Sequence, residues 1–153
     1  MPVVDIRNLK SVLRQNSCLL GLDLGSKTIG VAISDPMLIV ASPVETLRRS
    51  KFTKDLIRLK AIITERNVGG LVLGLPISMD GTEGPRCQST RQFSANVLAD
   101  TDILIAFWDE RLSTSAIQRV LINEADMSRK RRAEVVDKMA AAYILQGALD
   151  MIG

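Results

Sequence analysis

Apolar runs and helical stripes succeed one another along this chain, and their order predicts its layout. Residues 5–15 place Ile6, Leu9, Val12 and Leu13 at helical spacing among charged residues, which predicts a short amphipathic helix ahead of the main pattern. From Ser17 the period changes. Cys18–Asp23, Thr28–Ser34 and about Val40–Leu47 read as strands joined by short Gly and Pro turns, hence as antiparallel neighbours, and Pro43 assigns the third to an edge. Phe52–Arg66 carries Leu56, Leu59, Ile62 and Ile63 on one face of a helix. Gly69–Leu75, written GGLVLGL, is an unbroken apolar run of the kind that forms a central strand covered on both faces. Pro85 sits as a first-turn proline for a helix over about Arg86–Leu98, and Ile103–Trp108 is a further strand that ends in Asp109, Glu110 and Arg111. A helix over about Ser113–Asn123, capped by Ser113 or Thr114, a polar connection NEADMSRKRR, and a final helix from Ala133 to Met151 complete the pattern.

Three strands, then helices alternating with two more strands, predict an α/β fold. Its sheet is five-stranded and mixed, with the first three strands antiparallel, the later two parallel, and helices on both faces. The division expected is a helical extension at residues 1–16 and one domain at 17–153, with no internal repeat. In such a sheet ligands gather at the carboxyl ends of the parallel strands, where Asp23, Gly74 to Pro76, and Asp109 to Arg111 all fall.

Composition narrows the chemistry. The chain has 153 residues, 46% of them hydrophobic, which is enough for one domain with a real core. Aromatic residues make up only 3%, too few for a base-stacking platform. There is no histidine, so histidine triads, histidine bases and histidine-ligated zinc are excluded together. The two cysteines, Cys18 and Cys87, stand far apart and suggest neither a disulfide framework nor a zinc site. No stretch approaches the roughly 18 consecutive apolar residues of a membrane span, and the mixed N-terminus is unlike a secretory signal, so a cytoplasmic location is expected. The formal charge of +3 is too mild to imply nucleic acid by itself. The basic residues are grouped, however, at Arg48, Arg49, Lys51 and Lys54 and in the run Arg129, Lys130, Arg131, Arg132. Either group also fits an ordinary solvated surface.

Carboxylates remain as the candidate chemistry. Asp23 ends an apolar run among residues that supply no other charge, and Glu110 follows another. Asp137 begins the stripe Ala140, Ala141, Ile144, Leu145, Ala148 of the last helix, so it lies on the face turned to the sheet. Three converging acids repel one another, and partial burial adds to the cost. A divalent cation removes it, and oxygen ligands without histidine or thiolate point to Mg²⁺ or Mn²⁺. Two such ions activate water for phosphodiester hydrolysis without a histidine. Taken singly, each acid has a plainer role: Asp23 closing its own turn, Asp137 beside a helix start, Glu110 paired with Arg111. The loop GLPISMDGTEGPR, with Arg86 and Arg91 at the helix that follows, suits phosphate contacts but also fits an ordinary strand-to-helix loop. Lys27 and Arg111 are open to the same two interpretations.

Four motifs in this order, GLDLGSKTIGVAISD, GLPISMDGTEGPR, DERLST and DKMAAAYILQ, resemble the YqgF family of Holliday-junction-resolvase-like pre-16S rRNA nucleases. The resemblance runs from about Leu19 to Asp150. It implies an RNase H-like fold, cytoplasmic location and metal-dependent cleavage that processes the 5′ end of the small-subunit ribosomal RNA precursor; resolution of branched DNA is the alternative substrate, and a monomer or weak homodimer is expected. It also implies catalytic and metal-binding roles for Asp23, Glu110 and Asp137, with Asp109 of the same DER motif as the alternative metal ligand to Glu110. Alternation along a strand reaching Trp108 separates Asp109 from Glu110, and similarity to resolvases favours Glu110 as the ligand. Lys27, Arg86, Arg91, Arg111 and Arg129 to Arg132 are the expected nucleic-acid contacts. Ser113 stands where the family often has Thr. The opening stretch also resembles the phosphate-binding hairpin of actin-like and sugar-kinase ATPases, but those folds need two related halves, and this length supplies one. A non-catalytic binding factor with the same fold is the third reading, and the presence of all three acids speaks against it.

Overall fold

The computed structural model describes residues 3–112 and 129–152, with the side chains of residues 112 and 129–137 outside the described set. Five strands form one sheet: β1 (Cys18–Leu24), β2 (Thr28–Ser34), β3 (Ala41–Arg48), β4 (Val68–Leu75) and β5 (Leu104–Asp109), in the order β3-β2-β1-β4-β5. β1, β2 and β3 pair antiparallel, while β4 and β5 run parallel to β1. This is the expected sheet, with the Pro43 strand at an edge.

Helices cover both faces because the strands are apolar on both. α2 (Phe52–Glu65) and α3 (Pro85–Leu98) supply Leu56, Leu59, Ile62, Phe93 and Val97 to a core with Leu20, Leu22, Leu24, Leu71, Leu73 and Ile105. On the opposite face the long α4 (Arg129–Ile152) packs Ala141, Ile144, Leu145, Ala148 and Leu149 against Leu19, Val72, Ala106 and Trp108. The predicted stripe of α4 is thus the buried one. One expectation about its amino-terminal part changes. The helix is described from Arg129, so the backbone of the basic run Arg129 to Arg132 is helical, where a polar connection is expected from the sequence. The helix expected at about Ser113–Asn123 lies outside the described residues.

The N-terminal segment also departs from expectation. It forms a 3₁₀ turn (Ile6–Asn8) and a single turn of α-helix, α1 (Leu9–Val12), after which Leu13 is extended. Ile6 and Leu9 are buried in the α4-side core and Val4 N–H donates to Ile105 O at 2.9 Å. Required to enter the sheet at Cys18, whose N–H donates to Asn67 O, the segment ends its helix early; the tertiary path overrides the apolar spacing.

One buried contact sets where β1 starts. The Leu19 N–H donates to Ser34 Oγ at 2.8 Å, and that hydroxyl donates to Asp35 O at 3.0 Å. Ser34→Ala should therefore strand a buried N–H and cost about 1–3 kcal/mol, measured as a lowered urea midpoint with an unchanged m-value; an unchanged midpoint would refute it.

Candidate active site

Strand alternation places the first acid. Gly21 faces α4 so closely that a Cβ there would lie 2.8 Å from Leu145 Cβ and 3.0 Å from Ala141 O. Asp23, two residues on, shares that face, at the carboxyl end of β1 opposite Gly30 of β2. Its neighbour Leu24 points to the α2 and α3 side.

Glu110 arrives from β5, two strands away, at the first residue of a 3₁₀ turn (Glu110–Leu112). To meet Asp23 its side chain must cross β4, and Gly74 makes this possible. A Cβ on Gly74 would lie 2.9 Å from Glu110 Cγ, 3.0 Å from Glu110 Cδ and 2.6 Å from Ile144 Cδ1. The bare backbone of Gly74 is therefore the floor over which Glu110 passes. Nothing in the apolar run GGLVLGL marks this role except the glycine itself.

The two carboxyl groups interact directly. Burial, then repulsion by Asp23 and a hydrogen bond shared with it, push the Glu110 carboxyl up from 4.5 to about 7, while the Arg86 guanidinium pulls the other way. A proton thus occupies the pair where a cation would otherwise sit. The folded chain holds this proton more tightly than the unfolded chain. The associated stability is fully present below pH 4.5, the ordinary value, and is lost as pH rises through about 7. The metal-free protein should lose about 3 kcal/mol across that window. Thermal melts in chelator between pH 5 and pH 8 test this: the midpoint should fall with pH in the wild type and change little in Glu110→Gln, and a flat wild-type profile would rule out the shared proton.

Asp137 lies in α4, one helical turn before Ala141. Gln146 of the same helix donates to Ile39 O at 2.9 Å and accepts from Ala41 N–H at 2.9 Å, beside the amino end of β1. Ala141 lies farther along, opposite Gly21. α4 therefore runs antiparallel to β1, and a further turn back brings the backbone of Asp137 to the level of Asp23. The backbone of Arg129 to Arg132, further back along α4, lies beyond it at the same end of the sheet.

Asp109 does not join the pair. Its carboxylate accepts from the Arg111 guanidinium at 2.6 to 3.0 Å and from the Arg111 N–H at 3.0 Å. That guanidinium holds Asp109 below the usual carboxylate range. Asp109 and Arg111 are thus paired with each other, while Glu110 meets Asp23. Arg91 is similarly engaged, with both Glu83 oxygens accepting at 2.7 and 2.8 Å and its guanidinium 5.0 Å from the centre of the Phe107 ring. Among the described residues, Lys27 and Arg86 have no carboxylate within salt-bridge distance.

Both line a cleft of about 620 Å³ between the β1–β2 turn and the start of α3, and Arg49 joins them there. The sequence marked Arg49 only as part of a basic group. Its Nη1 donates to Gly25 O at 2.7 Å and its N–H to Lys27 O at 2.8 Å, which ties the end of β3 to the hairpin turn.

No group of three or more metal-capable side chains occurs among the described residues. The fit to a divalent cation rests instead on the donor set: two half-buried carboxylates that accept a proton in place of a positive charge, with oxygen as the only donor element. No helix among the described residues is long and apolar enough to cross a membrane.

Residues 17–151 match the family model described as RuvX, Holliday junction resolvase. A relative from Paramagnetospirillum magneticum, named "Putative pre-16S rRNA nuclease", is 61% identical over 98% of this chain and 96% of its own length. One of the same name from Phenylobacterium zucineum is 56% identical over 99% and 98%. Among solved structures, T. thermophilus RuvC in complex with a Holliday junction substrate superposes with a TM-score of 0.54 at 11% identity, covering 90% of this chain and 96% of that one. The yeast mitochondrial Holliday junction resolvase does so with a TM-score of 0.54 at 12% identity, covering 96% and 85%. These structures share the RNase H-like fold of this sheet. The extent and identity of the sequence matches establish that this chain belongs to the RuvX Holliday junction resolvase family.

Proposed function

We propose that this protein is a metal-dependent endonuclease that hydrolyses phosphodiester bonds in the 5′-end processing of the 16S ribosomal RNA precursor, in the cytoplasm. The observation that carries the reading is the Asp23 and Glu110 pair, two acids forced together across a glycine floor and sharing a proton. The names of the relatives, at 55–61% identity, support the ribosomal RNA precursor as substrate.

Asp23, Glu110 and Asp137 are the residues that would hold Mg²⁺ or Mn²⁺, in keeping with two ions. Bound there, the ions would lower the pKa of a water and stabilise the leaving oxygen. The chain's own contribution is to keep the acids preorganised at one sheet edge. Arg86 favours the ionised form of Glu110, so the proton is released when a cation competes for the site. The chain has no histidine for proton transfer. Lys27 and Arg86 would contact the phosphate backbone, joined by Arg129 to Arg132 in the amino-terminal part of α4; Arg91 would do so by exchanging its exposed partner Glu83, and Arg111 by exchanging the half-buried Asp109.

The test is cleavage of a precursor fragment spanning the mature 5′ end, with Mg²⁺, Mn²⁺ or chelator, followed by mapping of the new 5′ ends. Cleavage near the mature end that disappears in chelator is expected. The family description favours a second reading, resolution of branched DNA, so a four-way DNA junction belongs in the same assay. Cutting of the junction alone would transfer the assignment to that substrate, and no metal-dependent cutting of either would remove the nuclease reading.

A further inference from the structure

The carboxylates and the basic cleft lie on opposite faces of one strand end. Asp23 shares the α4 face with Gly21, whereas Leu24 belongs to the core under α2 and α3 and also lines the cleft. A strand whose reacting phosphate sits at Asp23 and Glu110 reaches the cleft only by passing over the carboxyl end of β1.

The cleft has the chemistry of a phosphate site. Lys27, Arg49 and Arg86 line it together with Thr28, Ser89 and Thr90, and among the described residues no acidic or aromatic side chain does. Without an aromatic ring among its described lining it has no platform to stack a base, and it concentrates three positive charges, of which Arg86 also acts on the Glu110 carboxyl. Arg49 is the structural centre. Besides its bond to Gly25 O, its guanidinium lies 5.9 Å from the centre of the Phe93 ring of α3, so one side chain spans both walls.

We infer that this cleft seats a backbone phosphate of the bound strand other than the one cleaved, with Arg49 as its anchor and Lys27 and Arg86 completing the charge. The inference rests on the nuclease reading above and adds a path for the strand: from the carboxylates on the α4 face, over the end of β1, into the cleft on the α3 face. Recognition at this point reads charge and not base identity.

Fluorescence anisotropy in chelator tests it, with a fluorescein-labelled single-stranded RNA and a DNA of the same sequence over a range of salt. Lys27→Gln and Arg49→Gln should each weaken binding about fivefold near 0.1 M salt and reduce the log–log salt slope by about 0.7, as expected for one lost phosphate contact to a single strand. The factor should be the same for a scrambled sequence, and Arg49→Lys should restore the slope. Lys54→Gln, the same charge change outside the cleft, should leave both unchanged. Equal effects of Lys54→Gln and the cleft variants, or no effect of Lys27→Gln, would overturn the inference. Lys27 is exposed and on a turn, so it remains informative even if loss of Arg49 loosens the hairpin. Wild-type cleavage with Mg²⁺ is scored separately, so failure of the cleft and failure of the nuclease reading are distinguishable.

Discussion

Asp23→Asn should lower the cleavage rate by about 10³-fold or more and, in the same protein, raise the stability of the metal-free form at pH 8. The first effect follows because a carboxylate that holds a catalytic cation contributes several kcal/mol to the transition state, and about 4 kcal/mol corresponds to about 10³-fold in rate. The second follows from the pair itself. Repulsion by Asp23 is the largest influence after burial on the Glu110 carboxyl, and an amide in its place removes that repulsion. A residue retained for packing would move activity and stability in one direction. Opposite signs identify a site that costs the fold stability for the sake of chemistry. Steady-state cleavage and a thermal melt in chelator measure the two halves, and an Asp23→Asn protein that is both active and less stable would exclude the catalytic assignment. Asp137→Asn is expected to lose activity to a similar extent.

Gly74→Ala should be almost as damaging, although it changes no charged group. Its new methyl would lie within 3.0 Å of the Glu110 side chain and 2.6 Å from Ile144 Cδ1, and both neighbours would have to move. Overpacking of this kind costs about 1–3 kcal/mol. Displacing Glu110 from Asp23 by about 1 Å should cost about 10²-fold in rate. The two consequences are separable. Ile144→Val removes the Cδ1 atom, so Gly74→Ala with Ile144→Val should regain most of the stability while activity stays low, because Glu110 remains displaced. Gly21→Ala is the contrasting variant: its methyl would strike Leu145 Cβ and Ala141 O, which loosens α4 without touching Glu110 directly. Recovery of activity in the double variant would mean that Gly74 matters for packing alone.

These expectations draw unequally on sequence and structure. The strand and helix order was legible because each element carries its own period: GGLVLGL can only be covered on both faces, and the stripe from Ala140 to Ala148 fits one buried side of a helix. The N-terminal helix is shorter than its period predicts because the spacing of Ile6, Leu9 and Val12 says which side is apolar but not how far a helix can run before the chain must enter β1, where the Cys18 N–H donates to Asn67 O. The basic run Arg129 to Arg132 looked like a connection because four successive cations show no amphipathic period, yet the backbone there is helical.

The amino-acid sequence by itself determined the α/β sheet, the carboxyl-end position of Asp23 and Glu110, the absence of any histidine chemistry and, through four ordered motifs, the family. These properties are local, or follow from strand order. Only the tertiary structure decided that Gly74 is the floor between two acids from non-adjacent strands, that Asp109 is engaged by Arg111 while Glu110 is not, and that Arg49 joins the hairpin to α3 in a basic cleft. Each of these depends on which side chains meet across elements far apart in the chain, and neither a period nor a motif carries that distance.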